Sequence, residues 1–187
     1  MDSVKITLIA NAGVMIEYQD QQLLVDALHE GHRLYPSTPS AAMQALLDGA
    51  PPFKDIKALL VTHNHLDHFS PRMTRTVLQR YPEIDFIADE ASVEAMCEAG
   101  EETSGPFDRS RVTAMPWQLP SQEDYADGSF KRMLPAVIHK DPFVIQPIPF
   151  EHEGRDFKHV ANVGVMISVG GVNILYPGDA RLSPENF

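Results

Sequence analysis

Ala58-Leu59-Leu60-Val61-Thr62-His63-Asn64-His65-Leu66-Asp67-His68-Phe69-Ser70-Pro71 is the stretch that decides the fold. Its first part is an unbroken apolar run, the pattern of a strand covered on both faces in a parallel sheet. Its middle places three histidines and an aspartate within the six residues 63–68. Ser70-Pro71 then starts a helix, with serine as the cap and proline in the first turn. Packing gives no reason for so many imidazoles in one turn, whereas neutral imidazole and carboxylate are standard ligands for zinc and related divalent ions. An extended backbone points residues i and i+2 the same way, so His63 and His65 can grip one ion. Asp67 and His68 can then face a second. The carboxyl end of a strand is also where open α/β sheets place their sites.

Upstream, residues 4–9, 14–18 and 23–25 read as a strand meander, with turns at Asn11-Ala12-Gly13 and Gln19-Asp20-Gln21. The third strand ends at Asp26, and the loop after it holds His29, Glu30, His32 and Arg33. A helix is expected from Thr38-Pro39 through Leu47, stopped by Gly49 and Pro51-Pro52, before the strand at 56–62. Downstream come a helix from Ser70 to Arg80, a strand at 86–88, and a helix ending at Gly100. Between Glu101 and Asp141 the pattern weakens: residues 111–115 suggest a strand and residues 118–131 a polar loop. Residues 143–150 form a strand whose Pro147 and Pro149 suggest a sheet edge or a bulge, and it runs into Glu151-His152-Glu153-Gly154. Residues 162–169 and 172–176 make a hairpin about Gly170-Gly171 that leads to Pro177-Gly178-Asp179.

A chain of 187 residues can bury a real core and is read as one domain, 1–187. No apolar run approaches the ~18 residues of a membrane span, and the first residues lack a signal-peptide pattern. The single cysteine, Cys97, excludes an internal disulfide framework and is expected to be buried in a helix. These features predict a cytoplasmic protein without a membrane partner. A net charge of −11 argues against a nucleic-acid partner, since phosphate backbones are held by clustered Lys and Arg. His139 belongs to no constellation and is assigned to the surface.

In motif and in order, the chain resembles the metallo-β-lactamase superfamily. The resemblance rests on the meander ending in Asp26, the strand followed by His63-x-His65-x-Asp67-His68, the later strand ending at His152, and the hairpin leading into Gly178-Asp179. Within that superfamily it looks most like the branch of ascorbate-phosphate lactonase and related metal-dependent hydrolases, which shares the opening around Asn11-Ala12-Gly13. The resemblance implies an α/β fold, the four-layer αββα sandwich, and a small-molecule substrate. It implies that His63, His65 and a later histidine bind one metal, that Asp67 and His68 bind another, and that Asp179 bridges the two. His152, at a strand end, is favoured as the third histidine over His159. Asp67 would also orient or deprotonate the attacking water. Asp26 is expected to support the ligands through hydrogen bonds, while His29 and His32 either line the cleft or lie on a surface loop. The implied cofactor is zinc, one or two ions, with manganese or iron as alternatives.

The sequence also departs from that family. It has no histidine in the eight residues after Asp179 to complete the second metal site, and it lacks the last strands and helix of the second half. The sandwich is therefore expected to be incomplete, the second ion weakly held, and an apolar sheet face open to homo-oligomer formation. The implied function is hydrolysis of a small ester, lactone or phosphoester by a metal-bound hydroxide. The alternative is a catalytically inactive metal-binding or assembly protein of the same fold.

Overall fold

Alternation along the central strands sends consecutive side chains to opposite faces, and the chain uses both faces. The computed structural model describes residues 3–100, 107–129 and 133–182. β1 (Lys5–Leu8), β2 (Val14–Tyr18) and β3 (Gln21–Val25) are antiparallel neighbours. β4 (Asp55–Val61), β5 (Asp85–Asp89) and β6 (Val112–Met115) then continue the same six-stranded sheet in parallel. Each parallel step is crossed by a helix: α1 (Ser40–Leu47), α2 (Pro71–Arg80) and α3 (Glu90–Glu98). Local chemistry sets their starts. The Ser70 hydroxyl accepts from the Met73 N–H at 3.2 Å with Pro71 as the first helical residue, and the Asp89 carboxylate accepts from Ala91 and Ser92.

One face of this sheet packs on the helices. Met15, Leu24, Leu59, Val61, Phe86 and Ala88 meet Leu46, Val77, Leu78, Val93 and Met96. The residues between them on the same strands, Ile16, Leu23, Val25, Ala58, Leu60 and Ile87, point the other way. They meet Phe143, Ile145, Val163, Val165 and Ile167 of a second sheet. That sheet is antiparallel and four-stranded, in the order β10-β9-β8-β7, from β7 (Ile138–Lys140), β8 (Phe143–Phe150), β9 (Asn162–Val169) and β10 (Val172–Tyr176). The described residues thus supply three layers of the expected sandwich, helix on sheet on sheet. No described helix is long and apolar enough to cross a membrane.

One expectation holds over part of its strand and one needs correction. The strand at 143–150 pairs with β9 from Val144 to Phe150 and with β7 only at Phe143, Val144 and Ile145, so it is internal at its start and an edge where the prolines lie, among the described residues. Pro147 and Pro149 fall beyond that short β7 ladder, where a missing N–H costs nothing on that side. The polar loop at 118–131 contains α4 (Gln122–Asp127). Ser121 and Asp124 exchange hydrogen bonds at its start, the Asp124 N–H donating to Ser121 Oγ at 3.2 Å and the Ser121 N–H to Asp124 Oδ2 at 2.7 Å. Residues 101–106 and 130–132 of the weakly patterned region lie outside the described residues. Cys97 is buried in α3, and His139 is exposed on β7.

Gly13 is required at the start of β2. A Cβ there would lie 2.6 Å from Ala27 Cα and 2.7 Å from the Asp26 carbonyl oxygen, both backbone atoms. The Gly13→Ala variant should therefore lose about 1–3 kcal/mol of stability, read as a lower urea midpoint. An unchanged midpoint would mean that the backbone at Asp26 and Ala27 yields freely.

Candidate metal centre

Parallel pairing sets the ends of β3 and β4 side by side, and the Asp26 N–H donates to the Leu60 carbonyl at 2.9 Å. Asp26 has φ of 47°, in the left-handed region that aspartate tolerates better than most residues. Its fully buried carboxylate accepts from the Thr62 N–H at 2.9 Å, the Thr62 hydroxyl at 2.7 Å and His68 Nδ1 at 2.9 Å. One side chain therefore holds both the start and the end of the histidine turn.

These contacts determine which nitrogens are bare. The Thr62 hydroxyl has one proton and gives it to Asp26, so at 3.0 Å from His63 Nδ1 it can only accept. His63 thus carries its proton on Nδ1 and turns an unprotonated Nε2 inward. His152 does the same by another route, its Nδ1–H donating to the Glu153 carbonyl at 2.6 Å. Both Nε2 atoms are buried without a hydrogen-bond partner among the described residues. A buried lone pair left unmatched is costly, and fixing the tautomer through the other ring nitrogen is how proteins prepare a histidine to bind metal.

Asp179 arrives from the second sheet. His152 follows β8 and Asp179 follows β10, and the two segments bridge as short antiparallel partners. The Glu153 N–H donates to the Asp179 carbonyl and the Arg181 N–H to the Glu151 carbonyl, both at 2.8 Å. The buried Asn162 side chain closes the turn, its Nδ2 donating to the Pro177 carbonyl at 3.0 Å and its Oδ1 accepting from the Asp179 N–H at 3.1 Å. Gly178 sits under that amide with φ of 60°, and a Cβ there would lie 2.4 Å from Asn162 Oδ1. The Val163 N–H donates to the Thr62 carbonyl at 2.9 Å, tying β9 to the histidine turn.

The result is a converging set. One ligand atom each from His63, His65, His152 and Asp179 lies within 4.8 Å of all the others. Asp179 Oδ2 is 3.9 Å from His63 Nε2 and 3.8 Å from His152 Nε2. Burial first, and the neighbouring His68 second, push His63 down to about 2, so its ring is neutral. His65 is also lowered, by burial and by His152. His68 behaves oppositely. Burial disfavours its charge, but hydrogen bonds to Asp179 and Asp26 prevail and raise it to about 10. Its Nε2 meets Asp179 Oδ1 at 3.1 Å, so it lies as a cation between two carboxylates. Burial tends to raise Asp179, yet the His68 hydrogen bond and the surrounding histidines hold it down at about 2.

The other residues singled out from sequence fall around this set. Asp67 is half-buried and lines a cavity of about 480 Å³ that opens onto His65, His152 and Asp179. His32 is exposed and lines the same cavity, while His159 is exposed and outside the converging group. His29 is not on a surface loop. It is fully buried beneath the site with neither ring nitrogen hydrogen-bonded among the described residues, and burial, then His68, lowers its pKa. Sequence reading missed Thr62, Asn162 and Phe157. Thr62 was detectable in principle, because a hydroxyl next to a candidate ligand at a strand end is placed to fix its tautomer. Asn162 gave no signal, since the turn it holds lies 15 and 17 residues further on.

A divalent ion fits these residues: two orphaned, unprotonated imidazole nitrogens, a third imidazole and a carboxylate face one point. No family model matches the chain, and no curated protein does. Solved structures do. A candidate metal-dependent hydrolase from Parabacteroides distasonis superposes with a TM-score of 0.61 at 18% identity, over 98% of this chain and 64% of its own. The metallo-β-lactamase fold protein YhfI of Bacillus subtilis gives 0.58 at 17% identity, over 98% and 65%. CmlA, a diiron β-hydroxylase of Streptomyces venezuelae, gives 0.54 at 16% identity, over 98% and 31%. This chain thus spans a little under two thirds of the first two proteins and about a third of the last. With its helix-on-sheet-on-sheet layering and the histidine turn at the strand ends, the chain has the metallo-β-lactamase fold.

Proposed function

We propose that this chain carries the metal centre of a metal-dependent hydrolase acting on a small acyl or phosphoryl substrate. The observation that carries the reading is the convergence of four ligand atoms within 4.8 Å, two of them buried imidazole nitrogens with no other partner. His63, His65 and His152 would hold one ion, zinc by the nitrogen-rich donor set, with Asp179 as the carboxylate ligand. Bound there, a divalent ion supplies Lewis acidity and makes water a nucleophile source at neutral pH.

The chain's own residues do the rest. Thr62 and the Glu153 carbonyl hold the tautomers that leave Nε2 of His63 and His152 free to bind. Asn162 and Gly178 aim Asp179, and Asp26 braces the turn from behind. Asp67 lines the cavity wall and in this reading would orient an incoming water and take its proton. Phe157 sets its ring 5.0 Å from that of His65 and 5.5 Å from that of His152, shielding both from solvent. Asp67 and His68 are the residues for a second ion. Because His68 Nε2 already meets Asp179, occupancy by a single ion is the reading the geometry supports best.

Titration with zinc followed by calorimetry should give one ion per chain. His65→Ala removes a direct ligand and should weaken binding by at least about 100-fold, more than losing an outer hydrogen bond does. Unchanged zinc affinity in that variant would sink the assignment. Asn162→Ala should cost about 10–100-fold in zinc affinity by releasing the Asp179 turn, and a wild-type affinity would show that the turn holds itself. Zinc-dependent turnover of esters, lactones or phosphoesters, lost in His65→Ala, is expected. Tight zinc binding without any turnover would instead favour a metal-binding protein that has no catalytic role.

A further inference from the structure

The cavity beside the histidines, about 480 Å³, is within the usual range for small-molecule sites. Leu34, Tyr35, Leu66 and Phe157 line it and stay open to water, from 44% exposed at Tyr35 to 69% at Leu34. They come from three separate loops, after β3, after β4 and after β8, yet meet around one opening. Large apolar side chains left wet together in this way mark a binding surface rather than scatter. The acids on the wall are Asp67, Glu153 and Asp179, and among the described residues no Lys or Arg lines it. Arg33, Arg155 and Lys158 adjoin lining residues in sequence without lining the cavity themselves, and Lys158 is turned to Glu151 at 3.4 Å. Phosphate groups are gripped by Arg, Lys or a helix N-terminus, and the wall offers none of the cationic pair.

We infer that the substrate is an uncharged acyl compound, an ester or a lactone, whose apolar chain or ring lies on Leu34, Tyr35, Leu66 and Phe157. This rests on the hydrolase reading above and narrows it, removing the phosphoesters and the phosphorylated lactones that the branch resemblance would bring. Phe157 touches both His65 and His152, so an apolar group against it sits beside the reacting centre. Hydrolysis consumes one water. Its oxygen bonds to the acyl carbon, the acyl C–O bond breaks, the leaving oxygen takes a proton, and the acid and alcohol depart, as one hydroxy acid when the substrate is a lactone. The acid ionises as it forms, and an acidic wall that accepts a neutral substrate then repels the product.

Two measurements on the whole chain test this. Calorimetry on the metal-free protein compares butanamide, hexanamide and octanamide with octyl phosphate. Affinity should rise about two- to fourfold per added methylene among the amides, and octyl phosphate should bind at least tenfold more weakly than octanamide. Kinetics on the zinc-loaded protein compare p-nitrophenyl acetate, butyrate, hexanoate and octanoate with p-nitrophenyl phosphate and its diester. kcat/KM should climb with acyl length, and Leu66→Ser and Phe157→Ser should each flatten that climb. Zinc-dependent turnover that prefers phosphoesters, or that ignores chain length, overturns the inference and leaves the hydrolase reading standing. Equal or tighter binding of octyl phosphate overturns it as well. Graded amide binding with no turnover of any ester overturns the hydrolase reading itself, while the cavity's preference for neutral apolar ligands stands.

Discussion

A carboxylate buried where β3 and β4 end is the constraint on which the rest of the site depends. Taking the Asp26 side chain out of water is expensive unless every lone pair finds a donor. Thr62 and His68 supply three donors at 2.7–2.9 Å, and they are the residues immediately before and at the end of the histidine turn. The cost of burial is therefore offset only when the turn is folded as it is. The consequences pass outward: the Thr62 proton, committed to Asp26, forces the His63 proton onto Nδ1 and leaves Nε2 bare. A charge at the end of one strand thus decides the chemistry of a ring on the next.

The second sheet completes what the first begins. His63 and His65 come from the strand ends of the six-stranded sheet, whereas His152 and Asp179 come from the four-stranded one. The centre exists only where both sheets are packed through their shared core of Ile16, Leu60, Ile87, Phe143, Val165 and Ile167. Two links align them at the site, the Val163 N–H on the Thr62 carbonyl and the Asn162 amide across the Pro177-Gly178-Asp179 turn. Packing of the two sheets is therefore a condition for bringing these four side chains together.

Local features of this design were legible in the sequence. The apolar run before His63, the Ser70-Pro71 helix start and the Gly170-Gly171 hairpin each carry their own signal within a few residues, and β4, α2, β9 and β10 fall where that signal puts them. The three-residue β7 had no such signal, being too short to show a period. Pro147 and Pro149 marked the open side of β8, while the three-residue ladder at its start could not be foreseen from the strand it pairs with. Among the candidate residues, His63 and His65 are marked by adjacency and His152 by its strand-end position, and these three converge with Asp179 while His159 does not. The burial of His29 was hidden, since it follows from the loop after β3 folding back onto the histidine turn, where the Gly31 N–H donates to the Leu66 carbonyl and Ser70 to the Leu28 carbonyl through its counterpart N–H.

Substrate choice is a different kind of question from fold, because one fold hosts many chemistries and the selection lies in the walls. A metal ion attracts any oxygen-rich substrate, phosphoryl or acyl, so the ligand set alone does not discriminate. What discriminates is the remote part of the substrate, whose binding energy is available to orient the reacting bond. On the proposed reading that part would meet Leu34, Tyr35, Leu66 and Phe157 and three carboxylates, on a wall that carries no Lys or Arg among the described residues. The same acids that are suited to hold a metal and move a proton also set a penalty on a second negative charge. On the proposed reading, a neutral, apolar acyl group is the ligand that suits the apolar residues and the acids together.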